Sequence, residues 1–558
     1  MIVKQKEWLT FIVAAFIPVQ LLSQVFPAAP HLSGSMQVDA QYYITDTLIG
    51  TERVPERILM NAFTRLNYQQ GPFSAAIRFE SYLNPLLGYD SRYEGSGLAF
   101  RSISYRSDFI EITAGNFYEQ FGNGMILRSY EDWSLGLDNS LDGLKVHLRP
   151  TPGVVVKGIY GRHRYFWDVS PGIIRGADVD LHLNSIFRNL SERTTQISLG
   201  GGMVSRYQKD EFILHSPGLR FELPLNVAAA SGRVNISGSN YALAAEYARK
   251  INDPSVVNGF IYKYGQAMYV SASYFRQGFS LLLAAKHTDN MSFKSRRTET
   301  GNVLDINFLP PLTKQHTYSL AAMYPYATQP NGEIAFQGQL IYSLRRGSNL
   351  GGKYGTTIAV NYARVHDLNR KAIADTIPIG TRGTMGYSAA LFNIGDRKFF
   401  DEISILFSRR LTNDLKISLQ YLNLFYNIEV IQGQLGSPNV FANTWVADVQ
   451  YRLTPTRALR AELQHLGTNQ DKGDWASFLT EITFAPRWFF SVGNEFNYGN
   501  PDEDSRIHYY NISAGYTHHT TRIAFSYGRQ RAGVICVGGI CRFVPASNGL
   551  RLTVTSSF

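Results

Sequence analysis

Two cysteines among 558 residues exclude a cysteine-rich disulfide framework, and no third or fourth ligand sits near Cys536 and Cys541 to complete a metal site. Beyond the first 30 residues there is no apolar run of the ~18 residues that a transmembrane helix needs. No Pro/Ser-rich linker, low-complexity tract or signature repeat divides the chain, which argues for one domain. Charged residues make up only 18%, and the net charge of +10 contains no Lys/Arg block. In an exported chain, such an excess points to anionic headgroups or solutes and not to nucleic acid. The usual catalytic signatures are missing too: there is no HExxH and no GxSxG, and "EGSG" at 94–97 is not a nucleophile elbow. No cofactor is expected.

The first residues have three parts. "MIVKQKEW" carries Lys4 and Lys6, "LTFIVAAFIPVQLL" is apolar and interrupted by Pro18, and small residues follow around Ser23, Ala28 and Ala29. This is the layout of a secretory signal peptide. The expected division is a signal peptide at 1–25 and a single domain at 26–558.

Aromatic residues are abundant at 13%, and they fall within a recurring pattern of alternating segment, turn and alternating segment. "TWVADVQYRL" places Trp445, Ala447, Val449, Tyr451 and Leu453 on one face and Val446, Asp448, Gln450 and Arg452 on the other. After "TPT", the segment "RALRAELQHL" sets Leu459, Ala461 and Leu463 against Arg460, Glu462 and Gln464. Alternation of this kind marks strands between two environments. A soluble sandwich and a membrane barrel both satisfy it. Segments of ~9–12 residues suit a tilted strand crossing a bilayer, whereas soluble strands average ~5–6. Tight turns ("QQGP", "PTPG", "TPT", "APR", "THH") alternate with long loops such as 365–382 and 427–442, the asymmetry of an outer-membrane barrel. The reading is an all-β, large antiparallel transmembrane barrel of about 24 strands, with 22 and 26 the neighbouring even counts.

The chain ends on "LRLTVTSSF", with Leu550, Leu552, Val554 and Phe558 on one face. Such a strand closes a barrel, because an open edge in lipid would leave backbone groups unpaired. It also resembles the signal by which outer-membrane barrels are handed to their insertion machinery, which is thereby an expected partner.

Three constellations stand out. In "GVICVGGICRF", a two-residue turn at Gly538 and Gly539 pairs Val537 with Ile540 and sets Cys536 opposite Cys541, within disulfide reach. The expected hairpin is a rigid projection on the outer side.

The segment "FGNGMILRSYEDWSLGLDNSLDGLKV" (121–146) interrupts the strand rhythm and gathers Arg128, Glu131, Asp132, Asp138 and Asp142. It reads equally as a loop folded into the pore and as a solvated outer loop. "DNSLDG" opens like a calcium loop, but the twelfth position is Arg149 and not Glu.

The charges expected to face the lumen include Arg65, Arg78, Glu80, Asp448, Arg452, Arg460 and Glu462. Mixed signs on neighbouring strands suit a structural ladder, and also a hydrophilic passage.

"YGRQRAGVICVGGICRFVPASNGLRLTVTSSF", "FGNGMILRSYEDWSLGLDNSLDGLKV" and "LRAELQHLGTNQDKGDW" resemble a family of uncharacterised outer-membrane proteins of Bacteroidota, classified as a domain of unknown function. The resemblance spans the mature chain. It implies a barrel and its location, and transfers no catalytic residue. The functional expectation is a non-enzymatic outer-membrane barrel. It serves either as a pore for a solute or as a structural subunit that meets other envelope proteins in an assembly or secretion machine. An outer-membrane hydrolase with a rim site is the alternative. The expected surroundings are outer-membrane lipids with anionic headgroups.

Overall fold

The computed structural model describes residues 29–54 and 56–558. The expected signal peptide lies outside them. Twenty-four strands form one antiparallel sheet in which each pairs with its neighbours in sequence, from His31–Tyr43 to Ser547–Ser557. The sheet closes on itself: Tyr42 pairs with Leu550, Ala40 with Leu552 and Val38 with Val554. Closure removes the edges that an alternating, half-apolar strand would otherwise present to other chains. Among the described residues, no helix is long and apolar enough to cross a membrane.

Apolar side chains alternate outward, as the period-2 pattern dictates. Trp445, Leu463 and Phe525 are 58%, 63% and 56% exposed. Aromatic rings collect near both ends of this outer face. At the turn end, Tyr274, Phe279 and Tyr342 form one such group and Phe484, Trp488, Phe490 and Tyr516 another; nearer the loop end, Phe425 meets Phe441 and Tyr421 meets Trp445.

The two ends differ. One carries mostly tight connections such as 71–72, 107–109 and 455–456, and both ends of the closing pair of strands. The other carries longer loops, among them 118–140, 208–225, 290–331 and 531–546. Residues 365–371, expected in a loop, extend the strand Thr356–Lys371, which pairs with Ser388–Arg410 through several register shifts. This hairpin rises above the rest of the wall.

The core lies inside the cylinder. Three loop-end connections (118–140, 290–331 and 531–546) turn back into the lumen.

Candidate functional site: the filled lumen and its side cavity

After Phe117 the chain leaves the wall and makes two miniature hairpins, Gln120–Phe121 with Leu127–Arg128 and Glu131–Asp132 with Leu137–Asp138. Phe121, Met125, Ile126 and Leu127 are completely buried. They pack on Ile174, Val204 and Val227 of the wall and on Met291, Phe293 and Ile306 of the second inner loop. These contacts answer the question left open by the sequence: the segment folds into the barrel.

Its carboxylates hold it there. Asp138 accepts from Arg164 at 2.7 Å and pairs with Arg78, while Glu131 pairs with Arg78 and Arg65. Glu80 bonds both Arg78 and Arg164 at 2.7 Å, and the Tyr118 hydroxyl lies 3.0 Å from both Glu131 and Asp138. Burial acts to raise the pKa of Asp138, but Arg164 and Arg78 outweigh it and hold the carboxyl below its ordinary value. A desolvated network of this kind is costly to break on one side only, by about 3–5 kcal/mol. Elsewhere on the loop, Asp132 caps a local turn through Ser134 (2.5 Å) and Leu135 N (3.2 Å). The Arg128 guanidinium covers the rings of Tyr130 and Phe308 at 4.5 and 4.0 Å.

Residues 290–331 make the second large part of the plug. Lys294 bonds Asp305 at 2.6 Å, and Arg206 of the wall bonds Asp253 and the carbonyl of Lys294 at 2.7 and 2.8 Å. Leu320, Tyr324 and Tyr326 pack with Ala363, Phe400, Tyr426 and Trp475 in a second apolar cluster. Tyr326 donates to Glu333 at 2.5 Å, and burial, reinforced by that carboxylate, pushes its phenol well above the ordinary value. Nothing in the sequence reading singled out this segment. Its one signal is a long break in the strand rhythm, from Asp289 to Gly332, that contains Pro310, Pro311, Pro325 and Pro330.

The opposite side of the lumen is hollow. A cavity of about 700 Å³ is bounded by Arg460, Glu462, Glu495, Arg531, Arg551 and Ser319. A second, of about 360 Å³, shares Ser319, Arg531, Val534 and Ile535 with it and continues past His316, Lys314 and Glu402. Both fall in the ~300–1,000 Å³ range of small-molecule sites. The charges here are mostly neutralised. Arg460 bonds Asp448 at 2.7 Å and Glu462 at 2.5 Å, and Arg531 bonds Glu495 at 3.0 Å. Arg551 has neutral partners, Gln41 at 2.9 Å and Ser547 at 3.1 Å. His316 contacts Glu402 at 3.0 Å and Gln420 at 3.2 Å, a carboxylate and an amide that orient the imidazole.

The Cys536–Cys541 disulfide forms as expected, between directly opposed residues, with Gly538 and Gly539 at positive φ in the turn. The expected projection, however, is an inward-folded flap. Its glycine tip rests on Phe308, Pro311 and Thr328, and Asn302 and Gln315 donate to the carbonyls of Cys541 and Cys536 at 2.6 and 3.2 Å. It docks mainly on the 290–331 segment and borders both cavities.

Two residues lie elsewhere than expected. Asp142 stands in the wall strand Leu141–Thr151; because Leu141 turns into the apolar cluster, Asp142 faces outward and meets Arg101 at 3.3 Å. This separates it from Asp138, so the partial calcium motif is not assembled. Arg452 reaches the turn-end rim and bonds exposed Asp414 at 2.8 Å, outside the lumen, because its strand ends there in a bulge. Arg65, Arg78, Glu80, Asp448, Arg460 and Glu462 all face inward onto the partners named above. Leu550, Leu552 and Val554 lie on the outer face of the closing strand.

No curated protein matches the chain. A family model described as a family of unknown function, DUF6029, matches residues 4–558. Solved structures similar to this chain include the siderophore receptor PirA from Pseudomonas aeruginosa, at 12% identity, 95% of this chain and 81% of that chain, TM-score 0.39. The translocation pore of the P pilus usher PapC is similar at 10% identity, 95% and 99% coverage, TM-score 0.42. OccAB3 from Acinetobacter baumannii is similar at 9% identity, 95% and 98% coverage, TM-score 0.36.

Proposed function

The chain belongs to DUF6029, a family of unknown function, and from that premise we propose that it is an integral outer-membrane barrel of a Bacteroidota-type envelope that passes a small polar solute beside its own plug. The observation that carries this is the pair of adjoining cavities, with shared lining residues, between the disulfide flap and the wall. A barrel serving only as a scaffold has no need of open space lined by charged and polar side chains alongside a closely packed plug. The membrane reading is supported by the outward apolar belt, its aromatic groups near each end, and the turn-versus-loop asymmetry. In this reading residues 1–25 are a removed signal peptide, 26–558 the barrel, and the activity non-enzymatic. The insertion machinery and anionic headgroups are its partners during biogenesis and afterwards.

Planar-bilayer recording of the purified protein tests it. Small, stable conductance steps are expected, together with entry of small sugars into proteoliposomes. A silent bilayer with correctly inserted protein overturns the passage. A second reading, a subunit of an envelope assembly, is favoured by exposed apolar side chains on the loop end: Phe212 and Leu219 are 74% and 62% exposed. Co-purification of stable envelope partners in mild detergent would support it.

A further inference from the structure

The net charge of +10 has no block in the sequence, yet the fold gathers it. Antiparallel strands return every second connection to the same rim. Across the turn-end connections and their flanking residues, the acids are Asp108, Glu111, Glu192 and Asp414; Arg106 already bonds Glu111 and Arg452 bonds Asp414. Against them stand Arg188, Arg193, Arg276, Arg345, Arg346 and Lys353, all exposed. Further round, Arg457 and Arg487 continue the series. The opposite end is mixed or acidic: loop 497–507 carries Asp502, Glu503 and Asp504 with Arg506.

The setting of these side chains identifies what they meet. Arg276 lies 5.7 Å over Phe279 and Arg457 5.7 Å over Phe484, both rings belonging to the outer aromatic groups. The two longest turn-end segments add bare apolar side chains beside their arginines: Phe187 next to Arg188, and Leu350, 72% exposed, between Arg346 and Lys353. Cationic heads above apolar stems and rings are the composition of a headgroup interface. A docked protein would select one sector, whereas this charge recurs on hairpins around the rim.

We propose that the turn-end rim is a basic collar that binds the phosphates of anionic phospholipid in the surrounding leaflet and fixes the depth of the barrel. The proposal rests on the membrane reading above. Each cation near an anionic bilayer surface is worth about fivefold in binding, and the attraction is screened by salt.

The test uses the full mature barrel in bilayers of phosphatidylcholine with and without phosphatidylglycerol. The readout is the relative association of spin-labelled phosphatidylglycerol over phosphatidylcholine at the protein surface. A several-fold preference is expected, falling in high salt. It should drop towards unity in Arg188→Gln/Arg193→Gln/Arg345→Gln/Arg346→Gln. A loop-end control, Arg53→Gln/Arg220→Gln, should retain it. Resistance to unfolding in detergent without heating confirms that each variant is a barrel. Equal association of the two lipids in the parent overturns the collar, as does an unchanged preference in the fourfold variant. So does loss of an acidic protein partner from that variant with lipid preference intact. Failure to enter either bilayer overturns the membrane reading instead.

Discussion

Asp138, on an inner loop, and Arg164, on the wall, meet at 2.7 Å in the interior of the barrel, and Arg78 reaches the same carboxylate. The plug is thus tied to the cylinder by charge as well as by apolar packing, and this tie can be tested.

Asp138→Ala leaves Arg164 and Arg78 buried with only Glu80 and Glu131 to share. The expected cost is about 3–5 kcal/mol, concentrated on the inner loop. Limited proteolysis should cut within 118–140 while the barrel stays resistant to unfolding in detergent. An unchanged cleavage pattern would show that the apolar cluster alone seats the loop.

The same tie makes the plug acid-sensitive. The folded pKa of Asp138 is depressed, so its stabilisation is complete above the unfolded value of about 3.9 and fades as pH falls through the lower folded value. Arg78, Arg164, Tyr118, Glu80 and Glu131 surround it. Hydrogen exchange in 118–140 should accelerate below about pH 4 before exchange in the wall does. Acceleration beginning near neutrality would contradict this assignment.

Phe293 packs in the apolar cluster shared by both inner loops and the wall. Phe293→Ala should cost about 3–5 kcal/mol through lost burial and a cavity. Because the wall strands pair independently of it, the barrel should persist while its conductance rises or becomes noisy in planar bilayers. A conductance identical to that of the parent would show that the plug stays seated without this ring.

Cys536→Ser/Cys541→Ser should scarcely change barrel stability, because closing so short a loop removes little chain entropy. The flap should instead loosen from Pro311 and Thr328, seen as faster exchange at Asn302 and Gln315, which donate to its carbonyls. Peptide mass spectrometry of the untreated parent should find the link; free thiols there would refute it.

Phe558 closes the barrel through backbone bonds with Gly34, at 2.9 and 3.0 Å, and its ring lies over that glycine where a Cβ would collide. The ring is 72% exposed on the outer face, so its loss should cost the finished wall about 1–3 kcal/mol. Phe558→Ala should lower the amount inserted in cells more than it lowers the stability of what is inserted. Gly34→Val, which displaces the ring but keeps it, should insert better than Phe558→Ala. Equal insertion of parent and Phe558→Ala would count against a role in biogenesis.

What the sequence determined by itself is whatever has a local cause. Period-2 alternation set the outer face of segments such as Thr521–Tyr527. The Gly538–Gly539 turn set which cysteine faces which, and strand and turn lengths set the count near 24. The contents of the lumen were decided by tertiary structure alone. Glu131 reads as one acid in a polar loop until the fold brings Arg65 and Arg78 to it. Residues 290–331 read as a gap until the wall surrounds them. The flap's glycine tip found its seat on Phe308 and Pro311 from distant positions in the chain. Asp142 faces outward and not into the lumen because its buried neighbour, Leu141, sets its parity. The basic collar is scattered in sequence and gathered at one rim, because an antiparallel barrel returns alternate connections to the same end.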